Sequence, residues 1–286
     1  MNNTTSIALV TDSTCDIPPE YLQRYGILVQ PHVLIWNGVE YRDRVTLSSE
    51  EFYRRIQTQG SLPTTAQASV HDFLTLFQSL KDQGYREVVL ILLSGQLSGA
   101  ILSAQQAAEQ SPIPVHVYDS RSVTAGLAWQ VLAAARAREQ GASAQEMIAA
   151  ADAVRRRLSL VIALDTLEYL HRGGRIGRAA WLAGSIMRIK PLVRVNRETG
   201  IVEAYGMERT HQRAVEAMIK RFFSEVAGEG ALHVAVMHGM AEEEARLIAE
   251  RIRQEHPGAE VYVHITGPVL GLNTGPGALA LGGYRE

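Results

Sequence analysis

Val88-Val89-Leu90-Ile91-Leu92-Leu93, followed without a break by Ser94-Gly95-Gln96-Leu97-Ser98-Gly99, is the stretch on which the reading of the fold turns. A continuous apolar run with no polar alternation belongs to a strand covered on both faces, as in a parallel sheet between helical layers. Upstream, Val70 to about Gln83 carries Phe73, Leu74, Phe77 and Leu80 on one face, which predicts an amphipathic helix. The same rhythm extends outward. Ile7 to Thr11 and Ile27 to Val33 read as strands, Pro18-Pro19 and Ser48-Ser49 open helices, and Val115 to Tyr118 is a further strand. Helices from Ala125 to Gln140 and from Ala144 to Leu158 follow. Strands alternating with helices in this way specify an α/β domain with a mostly parallel sheet.

Beyond residue 157 the pattern changes. Leu160 to Leu164, Leu192 to Asn196, Ile201 to Arg209, His233 to His238 and Val261 to Ile265 read as strands, and Glu198-Thr199-Gly200 as a hairpin turn. Helices are expected around Ala179 to Met187, from Thr210 to Val226 and from Glu242 to Gln254. Strands outnumber crossovers here, so the second sheet is expected to be mixed or antiparallel. The expected organisation is an N-terminal α/β domain over residues 1–157 and a C-terminal α/β domain over 158–286.

The 286 residues are 46% hydrophobic and 20% charged, within the range of globular chains. A net charge of −2 excludes the basic footprint of a general nucleic-acid binder. One cysteine, Cys15, gives no disulfide framework. The N-terminus lacks the cationic start of a signal peptide, and no window reaches the ~20 apolar residues of a membrane span. These features together predict a soluble, cytoplasmic protein without integral membrane association.

The ends of the predicted strands carry small hydroxyl residues and glycines: Asp12-Ser13-Thr14, Pro63-Thr64-Thr65, Ser94 to Gly99, and Asp119-Ser120. In an open α/β sheet ligands sit outside the carboxyl ends of the strands. Free loop amides and a helix N-terminus suit a carboxylate or phosphate there. Catalytic constellations are thin. Ser94 lacks the G-x-S-x-G elbow, the nine histidines show no metal-ligand spacing, and the glycine-rich stretches lack the P-loop lysine. No metal and no cofactor is expected. The enzyme alternative is a serine-dependent lipid or acyl hydrolase with Ser94 as nucleophile.

Six segments in order resemble the DegV family from end to end: Val10-Thr11-Asp12-Ser13-Thr14, Leu62 to Gln67, Leu93 to Gly99, Tyr118-Asp119-Ser120 with Gly126, Leu167 to Ile176, and Gly267-Pro268-Val269 with Gly275-Pro276-Gly277. Ala66 stands where the family has a serine, Gly95 where it has the second serine of its S-S-x-L-S-G loop, and Asn273 where it often has a histidine. The resemblance implies two domains with a long-chain fatty acid such as palmitate between them. It also implies that hydroxyls hold the carboxylate, here Thr64 or Thr65 and Ser94 or Ser98. Asn273 joins this ligand-binding set from the last motif. An apolar channel would take the tail at ~0.8 kcal/mol per buried CH₂, and Trp181 to Met187 is expected to line it or pack beside it. By the same resemblance the chain is not an enzyme by itself. It would present the carboxylate to a partner fatty-acid kinase, with Arg172, Arg175 and Arg209 on the docking surface.

Overall fold

The computed structural model describes residues 6–179, 189–226 and 228–286. Elements are numbered in chain order. The decisive apolar run is strand β6, and its sheet is four-stranded and wholly parallel. The strands stand in the order β2 (Ile27–Gln30), β1 (Ile7–Asp12), β6 (Glu87–Leu92), β7 (Val115–Asp119). Val88 through Leu92 are fully buried. Helices α5 (Thr124–Glu139) and α6 (Ala144–Arg157) pack on β6, and α4 (Ala100–Ala108) packs on β7.

Local chemistry sets the helix ends. The α1 helix (Pro19–Tyr25) has proline in its first turn and ends on Gly26, whose φ of 54° an L residue rarely adopts. Ser48 caps α2 (Ser49–Gln59). Reciprocal side-chain to backbone bonds start α3 (Val70–Asp82) through Ser69 and Asp72, and α6 through Ser143 and Glu146.

The expected strand from Ile27 to Val33 is broken. β2 stops at Gln30, and β3 (Val33–Trp36) joins a separate antiparallel sheet with β4 (Val39–Arg42) and β5 (Thr64–Ala66). Pro31 has no N–H for a ladder, so the chain leaves the first sheet there. Asn37 and Gly38 turn between β3 and β4 with φ of 52° and 80°, as a two-residue hairpin requires.

All six strands of the mixed sheet follow Leu158. They run in the order β10 (Val202–Glu208), β9 (Lys190–Val195), β8 (Ser159–Ala163), β13 (Leu279–Arg285), β11 (Leu232–His238), β12 (Glu260–Ile265). Only β11 and β12 are parallel. Helices α8 (His211–Glu225) and α9 (Glu242–Glu255) cover one face. Short helices α7 (Glu168–Arg172) and α10 (Pro268–Thr274) pack on each other at one end. The expected helix around Ala179 to Met187 falls almost wholly on 180–188, outside the described residues.

The two large sheets share α5. It touches β1 and β6 of the first sheet and β8, β11 and β13 of the second, so it is apolar nearly all round. Trp129, fully buried, donates through Nε1 to the Gly282 carbonyl at 3.0 Å. Close approach explains the glycines of β13. A Cβ at Gly282 would lie 2.4 Å from the Ala125 Cβ, and one at Gly283 would lie 2.1 Å from the His233 carbonyl oxygen. We propose the division into 1–157 and 158–286 on this change of sheet, with α5 as the shared layer.

Candidate functional site

A cavity of about 370 Å³ lies where the three sheets meet, within the ~300–1,000 Å³ usual for small-molecule sites. Its inner wall is apolar and buried: Ile162 on β8, Val193 and Val195 on β9, Val202 on β10, and Leu93 and Val123 from the first sheet's loops. A smaller void of about 40 Å³ shares Val123, Ile162, Leu270 and Thr274 with it and reaches Met237 and Ala280. The rim is polar. Thr65 and Gln67 come from β5 and the residue beyond it, Ser98 from the loop after β6, Asn273 and Thr274 from α10, and Arg175 from the turn after α7.

The rim is held by hydrogen bonds that cross between elements. Asp12, the last residue of β1, accepts from Thr14 N–H at 2.9 Å and from the Leu93 N–H at 2.8 Å, which fixes the end of β6 beside the end of β1. Gln67 donates to Ser103 Oγ of α4 at 3.1 Å. A Cβ at Gly99 would stand 2.6 Å from Gln67 Oε1, so a side chain there would displace this amide. Asn273 donates through Nδ2 to the Val269 carbonyl at 3.0 Å, and its buried Oδ1 has no hydrogen-bond partner.

Two of the expected cradle hydroxyls face elsewhere. Thr65 lines the cavity together with Ala66 and Gln67, while Thr64 is exposed and does not line it. Ser94 is fully buried, and its Oγ donates to the Gly200 carbonyl in the β9–β10 turn at 2.8 Å. That bond fastens the β6 loop to the second sheet and turns the hydroxyl away from the void. The Ser94 hydrolase alternative lacks its base as well: among the described residues no histidine or carboxylate is hydrogen-bonded to this hydroxyl. The structure thus brings Thr65, Ser98 and Asn273 together at one rim and sends Thr64 and Ser94 outside it.

The arginines also divide. Arg175 lines the cavity rim, donating to the Gly173 carbonyl at 2.7 Å. Arg172 is exposed and pairs with Glu168 at 3.2 Å. Arg209 is exposed just beyond β10, at the opposite end of that strand from the cavity residue Val202. At ~3.3 Å per residue this puts it on the order of 20 Å along the strand. Trp181 to Met187, expected near the channel, lie outside the described residues.

Beside the rim is a buried charged cluster that no motif in the sequence marks. Asp16 is ion-paired with Arg44 and accepts from the Gly267 N–H at 2.9 Å and from Thr124 Oγ1 at 2.7 Å. Arg44 also donates to the Ile265 carbonyl at 2.7 Å and to His264 Nε2 at 2.9 Å. Burial and the adjacent Arg44 charge hold His264 down at about 3, so it is neutral and can accept. Asp43 is 1% exposed, and neither carboxylate oxygen has a hydrogen-bond partner. No sequence signal marks these contacts, because Asp16 meets Gly267 only through the tertiary fold.

Burial pushes the Asp43 carboxyl up to about 6. A carboxyl raised on folding contributes stability below its unfolded pKa and loses that contribution as pH rises through about 6. The offset corresponds to at most about 3 kcal/mol. Asp43→Asn is therefore expected to raise the Tm about twice as much at pH 8 as at pH 5, because about half of the loss is already present at pH 5. Thermal melts at the two pH values check this, and an equal effect at both would contradict it.

The arrangement defines a class of protein, an α/β chain in which a parallel and a mixed sheet close over an apolar cavity with a polar rim. The family model described as "Uncharacterised protein, DegV family" matches residues 6–286, and the chain belongs to the DegV family. It is 32% identical over 283 residues to a DegV domain-containing protein of Halalkalibacterium halodurans, covering 99% of each. Among solved structures it is similar to a DegV family protein of Thermus thermophilus described for its fatty-acid binding, with a TM-score of 0.90, 30% identity, and 98% and 99% of the two chains covered. It is equally similar in fold to DegV of Bacillus subtilis, named a fatty-acid-binding protein, with a TM-score of 0.90, 28% identity, and 98% and 99% covered. No helix among the described residues is long and apolar enough to cross a membrane.

Proposed function

We propose that this chain binds a long-chain fatty acid in the cavity and does no chemistry on it alone. The tail lies against Ile162, Val193, Val195 and Val202, and the carboxylate is held at the rim by Thr65, Ser98 and Asn273, with Arg175 supplying positive charge. The observation that carries this reading is the polarity of this cavity, buried and apolar inside and rich in hydroxyls at its rim. Each buried methylene contributes ~0.8 kcal/mol, and hydrogen bonds to a carboxylate are about twice as strong as neutral ones. The fatty-acid binding of the Thermus and Bacillus relatives supports the same assignment.

The head-group assignment is tested by Thr65→Ala combined with Ser98→Ala. Losing a hydrogen bond to a charged group costs ~1.5 to 3 kcal/mol, so palmitate affinity is expected to fall by at least about tenfold. A fluorescent-lipid displacement assay measures it, and an unchanged dissociation constant removes these hydroxyls from the site.

A carboxylate held at the rim is also reachable by a second protein. The proposal includes presentation of that carboxylate to a fatty-acid kinase that brings its own ATP site. Arg175 at the rim and the exposed Arg172 three residues before it would form part of the docking surface. Arg209 would belong to it only if the partner extends along β10.

A further inference from the structure

The charged cluster beside the cavity contains one group that the head-group assignment has not used. His32 lies in the two-residue gap between β2 and β3, where the chain passes from the first sheet to the third. Its backbone is fixed on both sides: its N–H donates to Ser13 Oγ at 3.1 Å, and its carbonyl accepts from the Asp43 N–H at 2.9 Å. The side chain is 3% exposed, yet it lines the cavity together with Thr65 and Ser98.

A buried imidazole with no partner is costly unless something completes it. Nε2 lies 3.5 Å from Asp12 Oδ1 and makes no directed hydrogen bond. Asp12 is already committed, through Oδ1 to Thr14 N–H and Oγ1 and through Oδ2 to the Leu93 N–H. Neither Asp12 nor Asp43 lines the cavity, so the imidazole is the face that this cluster presents to the void. Asp12 and Asp43 are the charged groups that face the ring, while Arg44 is engaged with Asp16. Burial alone would pull the proton off His32, but the negative charge of Asp12 at 3.5 Å, with Asp43 behind it, outweighs that and raises its affinity for a proton.

We infer that His32 is a specificity-determining residue of the fatty-acid site, a buried imidazolium that makes the cavity select an anionic head group over a neutral one of equal tail length. This rests on the fatty-acid reading and adds to it a source of charge selectivity. Hydroxyls and amides at the rim can donate to an alcohol as well as to a carboxylate, so their preference for the acid is only that of a charge-assisted over a neutral hydrogen bond. A cation at the same place favours the anion further.

The test compares palmitic acid with 1-hexadecanol in a displacement assay from pH 6.5 to 9, for the wild-type chain and for His32→Gln. The wild-type chain is expected to prefer the acid, and the preference is expected to shrink as pH rises and His32 loses its proton. His32→Gln is expected to weaken palmitate by about tenfold, to leave hexadecanol within about twofold, and to flatten the pH dependence. A variant that keeps both the acid preference and its pH slope overturns the inference. Wild-type chain that binds neither probe is a different result, the failure of the fatty-acid reading itself. NMR titration of the wild-type histidines needs no variant: the His32 midpoint should move upward when palmitate is added, and a midpoint that does not move overturns the assignment.

Discussion

Val195→Phe combined with Val202→Phe is expected to lower palmitate affinity by about a thousandfold. The two valines are direct neighbours across β9 and β10, and both are buried in the cavity wall. Directly paired residues share a face of the sheet, so both rings enter the same space. Excluding about five methylenes at ~0.8 kcal/mol each removes about 4 kcal/mol of tail burial. The added volume goes into a void and not into close-packed core, so the overpacking penalty of a filled interior does not apply in full. Displacement with a series of acids should show the optimum moving to shorter chains, with a Tm near that of the wild type. Unchanged palmitate affinity would place the tail elsewhere.

The second large effect falls on stability. Arg44→Leu removes the cation from a fully buried Asp16, whose remaining partners are the Gly267 N–H and the Thr124 hydroxyl. Breaking a buried pair by deleting one member costs about 3 to 5 kcal/mol, because the other charge is left uncompensated. For a chain of this size that is a fall in Tm on the order of 10 °C. The contact also ties the β1 end to the β12–α10 junction beside the cavity, so fatty-acid release should be faster in the variant. Adding Asp16→Asn to Arg44→Leu is expected to recover part of the loss, and calorimetry of the four-member cycle gives the coupling. A Tm unchanged by Arg44→Leu would show that Asp16 is carried by its other donors alone.

The parallel sheet is plain in the sequence because β6 is apolar at every position after Glu87 and needs no periodicity to be recognised. The mixed sheet is less so. Its inner strand β13 contains Gly282 and Gly283, which the packing of α5 and β11 requires, and glycine weakens every strand signal. The β3–β4 hairpin was legible in Asn37-Gly38 and was missed because Ile27 to Val33 read as one strand. Pro31 was the signal that it could not be.

At the cavity, the motifs mark loops that line it without saying which side chain turns inward. Thr64 and Thr65 differ by one step of a strand, and only the tertiary fold decides that Thr65 lines the void. Ser94 and Ser98 differ by one loop turn, and Gly200, 106 residues away, captures Ser94. His32, Asp43 and Arg44 were invisible, since their meaning depends on burial beside Asp12 and Asp16.

The most direct test of the central claim is native mass spectrometry of the chain expressed in bacteria and purified without delipidation. The account predicts a bound mass near one equivalent that dissociates as a long-chain fatty acid and is largely lost from the Val195→Phe, Val202→Phe double variant. Wild-type protein that carries no lipid and takes up none on incubation with palmitate would contradict it.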